Sequence, residues 1–109
     1  GTMAVLSCNT PAKAGGTTLV FLNFEAQRSG SSDDRCAFRV VRRGNGQTDK
    51  ILPTNPQFTL PGNRDVRAWT FVDTDIPADG TYQYVAQIMK LAGGGTFYAM
   101  SIIGVHFRR

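Results

Sequence analysis

The chain has 109 residues, 41% of them hydrophobic and only 18% charged, with seven Phe, three Tyr and one Trp. That is one folded domain, since domains typically run about 50–250 residues and a disordered tail lacks such aromatic content. Twelve basic residues against eight acidic ones give a net charge of +4; no apolar run reaches the roughly 18 residues of a membrane helix, and no signal-peptide pattern opens the chain, so membrane insertion is not expected.

Gly1 and Thr2 read as a cloning remnant, and the domain is expected over residues 3–109. A first short strand is expected at Met3–Ser7. From Thr17 to Ala26 the pattern alternates, with Val20, Leu22, Phe24 and Ala26 on one face and Leu19, Phe21, Asn23 and Glu25 on the other. The run from Ser29 to Asp34 has the composition of a loop. The next strand, Cys36–Arg42, sets Cys36, Phe38 and Val40 against a ladder of Arg35, Arg39 and Arg43. Two short strands are expected at Thr48–Leu52 and Phe58–Leu60. Val66–Asp73 then opposes Val66, Ala68, Thr70 and Val72 to Arg67, Trp69, Phe71 and Asp73.

Pro77 and the Asp79-Gly80 pair mark a turn before a long strand, Gly80–Leu91, in which Tyr82, Tyr84, Ala86 and Ile88 share a face. Gly93-Gly94-Gly95 predicts a chain reversal that makes Thr96–Phe107 the second arm of a hairpin. Eight short strands, Gly/Pro/Asn turns and no helical periodicity predict an all-β fold: an antiparallel two-sheet sandwich, jelly-roll-like. An immunoglobulin-like sandwich is the alternative, but Trp69 follows both cysteines instead of lying between them. The expected core is Val20, Leu22, Phe24, Phe38, Val40, Val66, Val72, Ile88, Ile103 and Val105.

No chemical motif stands out. The lone histidine, His106, lacks a nucleophile-elbow partner, so a triad with Ser101 or Cys36 has no support and no catalytic residue is assigned. Gly15-Gly16-Thr17-Thr18 lacks the lysine of a phosphate loop. Asp73, Asp75 and Asp79 cluster around a turn, where Asp73 and Asp79 are expected to accept turn amides; their spacing is not that of an EF-hand. Cys8 and Cys36 form neither a CxxC pair nor a metal-ligand spacing with His106, so no metal and no cofactor are expected. They are two buried thiols or, if their strands lie close enough, a disulfide.

The run Trp69-Thr70-Phe71-Val72-Asp73-Thr74-Asp75-Ile76-Pro77-Ala78-Asp79-Gly80-Thr81-Tyr82-Gln83-Tyr84, with the glycine turn and Tyr98-Ala99-Met100-Ser101-Ile102-Ile103-Gly104-Val105, resembles the C-terminal hairpin of small β-sandwich modules in bacteriophage tail-fibre and other virion proteins. The general layout is similar to the tumour-necrosis-factor-like jelly roll. The resemblance implies a homotrimeric, non-enzymatic knob of a virion fibre that binds a host-surface glycan or protein.

Two surfaces follow as candidates. Apolar residues on both faces of several strands call for a covering partner, and Tyr82, Tyr84, Tyr98, Met100, Ile102 and His106 are candidate interface residues, unless they fill the core of one chain. Arg35, Arg39 and Arg43 form a second candidate interface, one that fits a capsid-decorating protein contacting virion coat. Nine of the twelve bases are Arg, which suits carboxylate or phosphate contacts; they are spread along the chain without a groove-reading motif, which argues against nucleic acid. Trp69 is either a buried structural residue or, with Arg67, Asp65, Arg64 and Asn63, a shallow glycan site of a monomeric lectin-like module.

Overall fold

A computed structural model describes residues 2–30, 34–53 and 56–108. It contains eight strands: β1 (Thr2–Ala12), β2 (Thr17–Arg28), β3 (Arg35–Gly44), β4 (Gln47–Ile51), β5 (Gln57–Thr59), β6 (Asp65–Asp73), β7 (Gly80–Ala92) and β8 (Gly95–Phe107). They form two antiparallel sheets, one ordered β1-β7-β3-β4 with β5 also paired to β3, the other ordered β6-β2-β8. The expected all-β two-sheet sandwich is therefore the fold. Among the described residues no helix is long and apolar enough to cross a membrane.

Each expected strand is present, with differences at the ends. β1 begins at Thr2 and continues to Ala12, passing through Pro11. Proline is tolerated because β1 is an edge strand, where an absent N–H costs no ladder bond if it points away from the neighbour. Of the expected loop at Ser29–Asp34, residues Ser31, Ser32 and Asp33 lie outside the described residues.

The expected terminal hairpin is overturned. β7 pairs with β1 and β3, whereas β8 pairs with β2 in the other sheet, so the glycine run is an arch from one layer to the other. Gly93 has φ +69°, and a Cβ there would sit 1.7 Å from Asp34 Oδ1. Asp34 is fully buried and accepts bonds from the Ser29 amide at 2.6 Å and the Gly94 amide at 2.7 Å, tying the arch to the end of β2.

Between the sheets, Val20, Leu22, Phe24, Phe38, Val40 and Ile88 are buried as expected. Burial of side chains this size contributes about 1.5–3 kcal/mol each. Four expected core residues are not there: Val66, Val72, Ile103 and Val105 are exposed on the outer face of the β6-β2-β8 sheet. In their place Trp69 and Phe71 of β6, and Phe97, Met100 and Ile102 of β8, pack inward. Gly104 decides the facing of β8, because β1 crosses over it so closely that a Cβ would lie 2.1 Å from Thr10 Oγ1. Only the face carrying a glycine at that point can turn toward β1.

The interior is segregated along its length. One end is aromatic: Phe24 stacks on Trp69 with centroids 5.2 Å apart, and Phe38 stacks on Phe58 at 5.0 Å. The opposite end is polar.

Candidate functional site

The polar end is built where β1 and β8 finish and where β2 and β7 begin. Asp73, the last residue of β6, points inward and is fully buried. Its carboxylate accepts from Arg42 Nη1 at 3.1 and 3.2 Å, Lys50 Nζ at 3.0 Å and Tyr84 Oη at 2.7 Å. Arg42 is available because it continues the inward parity of Phe38 and Val40 on β3. Burial, with the neighbouring Asp73 carboxylate, pushes the Tyr84 phenol well above its ordinary range.

Beside this shell a second set of hydrogen bonds seats His106. Thr18 is fully buried on β2, and His106 Nδ1 lies 2.9 Å from its Oγ1. The Lys13 amide donates to His106 Nε2 at 2.9 Å. An amide can only donate, so Nε2 is unprotonated and the neutral ring carries its proton on Nδ1, pointing at Thr18. Gly16 leaves room for the ring, since a Cβ there would lie 2.5 Å from His106 Cε1. Around Asp73 itself, Arg42 Nε is buried without a hydrogen-bond partner among the described residues.

This arrangement holds the fold. The hydroxyl that His106 meets belongs to a buried threonine out of a substrate's reach, Ser101 lies on the opposite face of β8, and Cys36 sits near the other end of the sandwich. The turn acids divide their tasks. Asp79 accepts from the Ala14 amide at 2.8 Å, as an amide-binding turn residue is expected to, but Asp73 serves the buried cations instead. Among the described residues no cluster of three metal-ligating side chains occurs.

Beside this network opens a cleft of ≈ 390 Å³ whose lining includes Lys13, Thr81, His106 and Arg108. Lys13 Nζ stands 3.5 Å from Asp79, both side chains more than half exposed.

The other expected site residues are dispersed. Tyr82 and Tyr84 are fully buried, and Met100 and Ile102 pack against the core, which corrects their assignment to a partner interface. Tyr98 is exposed, with Arg64 stacked over its ring at 3.8 Å. Trp69 faces inward, one ring face against Phe24, and is not a free platform for a sugar. Its sequence neighbours Arg64, Asp65 and Asn63 are exposed, and Arg67 bonds Asp65 at 2.6 Å. The arginine ladder lies as expected on the outer face of the β1-β7-β3-β4 sheet, Arg39 bonded to Gln87 and Arg43 to Asp49.

What sequence reasoning assigned to the core lies on an apolar outer surface. Pairing across β6, β2 and β8 aligns Val72, Leu19 and Val105 in one row and Thr70, Phe21 and Ile103 in the next. Val66 is 58% exposed, Ile103 54% and Phe107 53%. The signal that marked this face was Gly104, whose partner parity, Ile103 and Val105, had to point away from β1. Comparison of the chain with protein-family models and with curated proteins finds no match.

Proposed function

We propose that this chain is a non-catalytic, self-associating β-sandwich module: a homotrimeric knob of a phage-like fibre, at home in the virion, that binds a host-surface glycan or protein. The observation that carries the reading is the exposed apolar face of the β6-β2-β8 sheet. Its rows run across three strands, and the charged side chains on the described part of the face are Glu25 and Arg64, ion-paired with each other at its margin. Soluble monomers rarely leave contiguous apolar patches larger than a few hundred Å² open to water. A face with almost no charge is also compatible with a second copy of itself, since association strands no unpaired ion. The trimer and the fibre come from the resemblance of residues 69–105 to virion modules.

The experiment is solution mass by light scattering during size exclusion, at concentrations down to the micromolar range. Wild type is expected near three chain masses, and Ile103→Glu near one, with unchanged circular dichroism because Ile103 makes no part of the core. A concentration-independent wild-type monomer overturns the reading.

A second reading, a capsid-decorating protein, is favoured by one observation: Arg35, Arg39 and Arg43 share the opposite side of the sandwich and stay accessible when the apolar face is covered. Neutralising all three then abolishes binding to coat protein and leaves the mass unchanged. Retained binding removes this reading. A monomeric lectin-like module built on Trp69 has less support, because that ring is committed to the aromatic end.

A further inference from the structure

We propose that the cleft at the polar end is a binding site for a carboxylated saccharide. The inference names the ligand class for the binding half of the function proposed above and rests on that half; assembly is read by mass and the ligand by titration, so either can fail alone.

Size comes first. At ≈ 390 Å³ the cleft falls within the roughly 300–1,000 Å³ typical of small-molecule sites. Its walls are preformed: the His106 ring is clamped at both nitrogens, by the Lys13 amide and by the fully buried Thr18. Little ordering remains to be done when a ligand enters.

Charge decides the ligand. Lys13 and Arg108 supply two cations against the single carboxylate of Asp79, and His106 is neutral in the tautomer its bonds require. Among the described residues Arg108 has no ion pair within 4 Å and meets Asp79 only at longer range, so its guanidinium fork can take a planar carboxylate. One surplus positive charge matches a monoanion; a phosphate dianion would find too few cations, and the amides of Lys13, Ala14, Gly15 and Gly16 already donate within the chain.

The remaining lining suits a sugar ring better than a bare acid. Pro11 and Ala12 offer an apolar patch for the ring's C–H face. The exposed Thr81 side chain is a hydroxyl partner in the lining, and the Asp79 carboxylate, 3.5 Å from Lys13 Nζ, stands beside it. Asp79 is held at its post by the Ala14 amide, the largest cause of its carboxyl lying below the usual range, so it stays an acceptor at neutral pH.

The test is a titration of the full chain followed by amide chemical shifts, with glucuronate and N-acetylneuraminate as probes and glucose and acetate as controls. At least one acidic sugar is expected to shift the amides of Lys13, Thr81 and Arg108 saturably, at least tenfold more tightly than glucose or acetate. Arg108→Ala is expected to weaken binding about tenfold, and Lys13→Ala by several-fold, with the rest of the spectrum unchanged. Either acidic sugar is expected to bind less tightly as salt is raised. Equal binding of glucose removes the charge argument, equal binding of acetate removes the saccharide, and no saturable shift at millimolar probe removes the site; each result overturns the proposal. A wild-type monomer that still binds the acidic sugar would overturn only the assembly.

Discussion

Arg42 and Asp73 meet between the two sheets, with Arg42 Nη1 3.1 and 3.2 Å from the two carboxylate oxygens and the aspartate fully buried. They come from different layers, β3 and β6, so this ion pair fastens one sheet to the other at the polar end. Lys50 and Tyr84 complete the shell of the carboxylate. Desolvating both ions is costly, and what makes the pair tolerable is that the acceptor is shared among several donors.

The consequence is an asymmetry between the partners. Asp73→Ala leaves Arg42 buried with no counter-charge and is expected to cost about 3–5 kcal/mol in urea unfolding. Arg42→Met leaves Asp73 with Lys50 and Tyr84 and is expected to cost less, about 1–3 kcal/mol. The double variant Arg42→Met with Asp73→Leu is expected to recover much of the Asp73→Ala loss. Equal losses for the two single variants would mean that Lys50 and Tyr84 contribute nothing to holding the aspartate.

Acid is expected to loosen the loops at both ends. Asp34 lies below the usual carboxyl range chiefly because the Ser29 amide donates to it, with the Gly94 amide adding to the effect. Asp79 is lowered chiefly by the Ala14 amide and then by Lys13. A folded value below the unfolded one, near 4, means that the carboxylate stabilises fully above that pH. The stabilisation is lost as pH falls through the depressed folded value. Tm is therefore expected to be flat from neutrality to about pH 5 and to drop below about pH 4. Asp34→Asn should lower Tm at pH 7 and flatten the acid drop, and an unaltered profile in that variant would remove Asp34 from the account.

Much of the fold was legible because its strands alternate cleanly. In β2 and β3 one face carries an unbroken apolar run before its polar end, so Val20, Leu22, Phe24, Phe38 and Val40 could be assigned inward from period two alone. β6 and β8 resist that treatment. Both of their faces carry large apolar residues, and the true inner face of β6 ends in Asp73, whose compensating Arg42 lies on a strand distant in sequence. Period two separates faces without saying which is inside. The glycine run before β8 fixed a change of direction, but glycine's wide φ range allows an arch between layers as readily as a hairpin within one. The bonds of His106 to Thr18 and of Tyr84 to Asp73 were not legible, since each joins residues from different strands by packing.

Gly104 and Thr10 provide a direct test of the facing of β8. A glycine inside a strand often marks the close approach of another segment, and here the segment is β1. Gly104→Ala would drive a methyl to within 2.1 Å of Thr10 Oγ1. Overpacking of this kind costs about 1–3 kcal/mol. Thr10→Ala removes the nearest atom, so the double variant is expected to be more stable than Gly104→Ala alone, a coupling that a double-mutant cycle reads directly. Additive effects would mean that β1 does not cross over Gly104.

The two thiols are expected to behave independently. Cys8 on β1 aligns with Tyr84 of β7, and Cys36 on β3 aligns with Lys90 of the same strand. They stand on opposite sides of β7 and six residues apart along it, about 20 Å at 3.3–3.4 Å per residue. A disulfide needs Cα atoms within about 7 Å, so the chain does not form one within itself. Cys36 is buried, and desolvation pushes its thiol up to about 11, where little thiolate exists at neutral pH. Cys8 is half-buried, its Sγ 3.9 Å from Thr10 Oγ1. Reaction with a thiol-specific disulfide reagent at pH 8, followed by mass spectrometry, is expected to modify Cys8 first. Cys36 should follow only as denaturant opens the sandwich, because the reactive species is the thiolate and its burial suppresses both ionisation and access. Rapid modification of Cys36 in the native protein would show that the β3 end of the core opens far more readily than its packing against Phe58 and β7 implies.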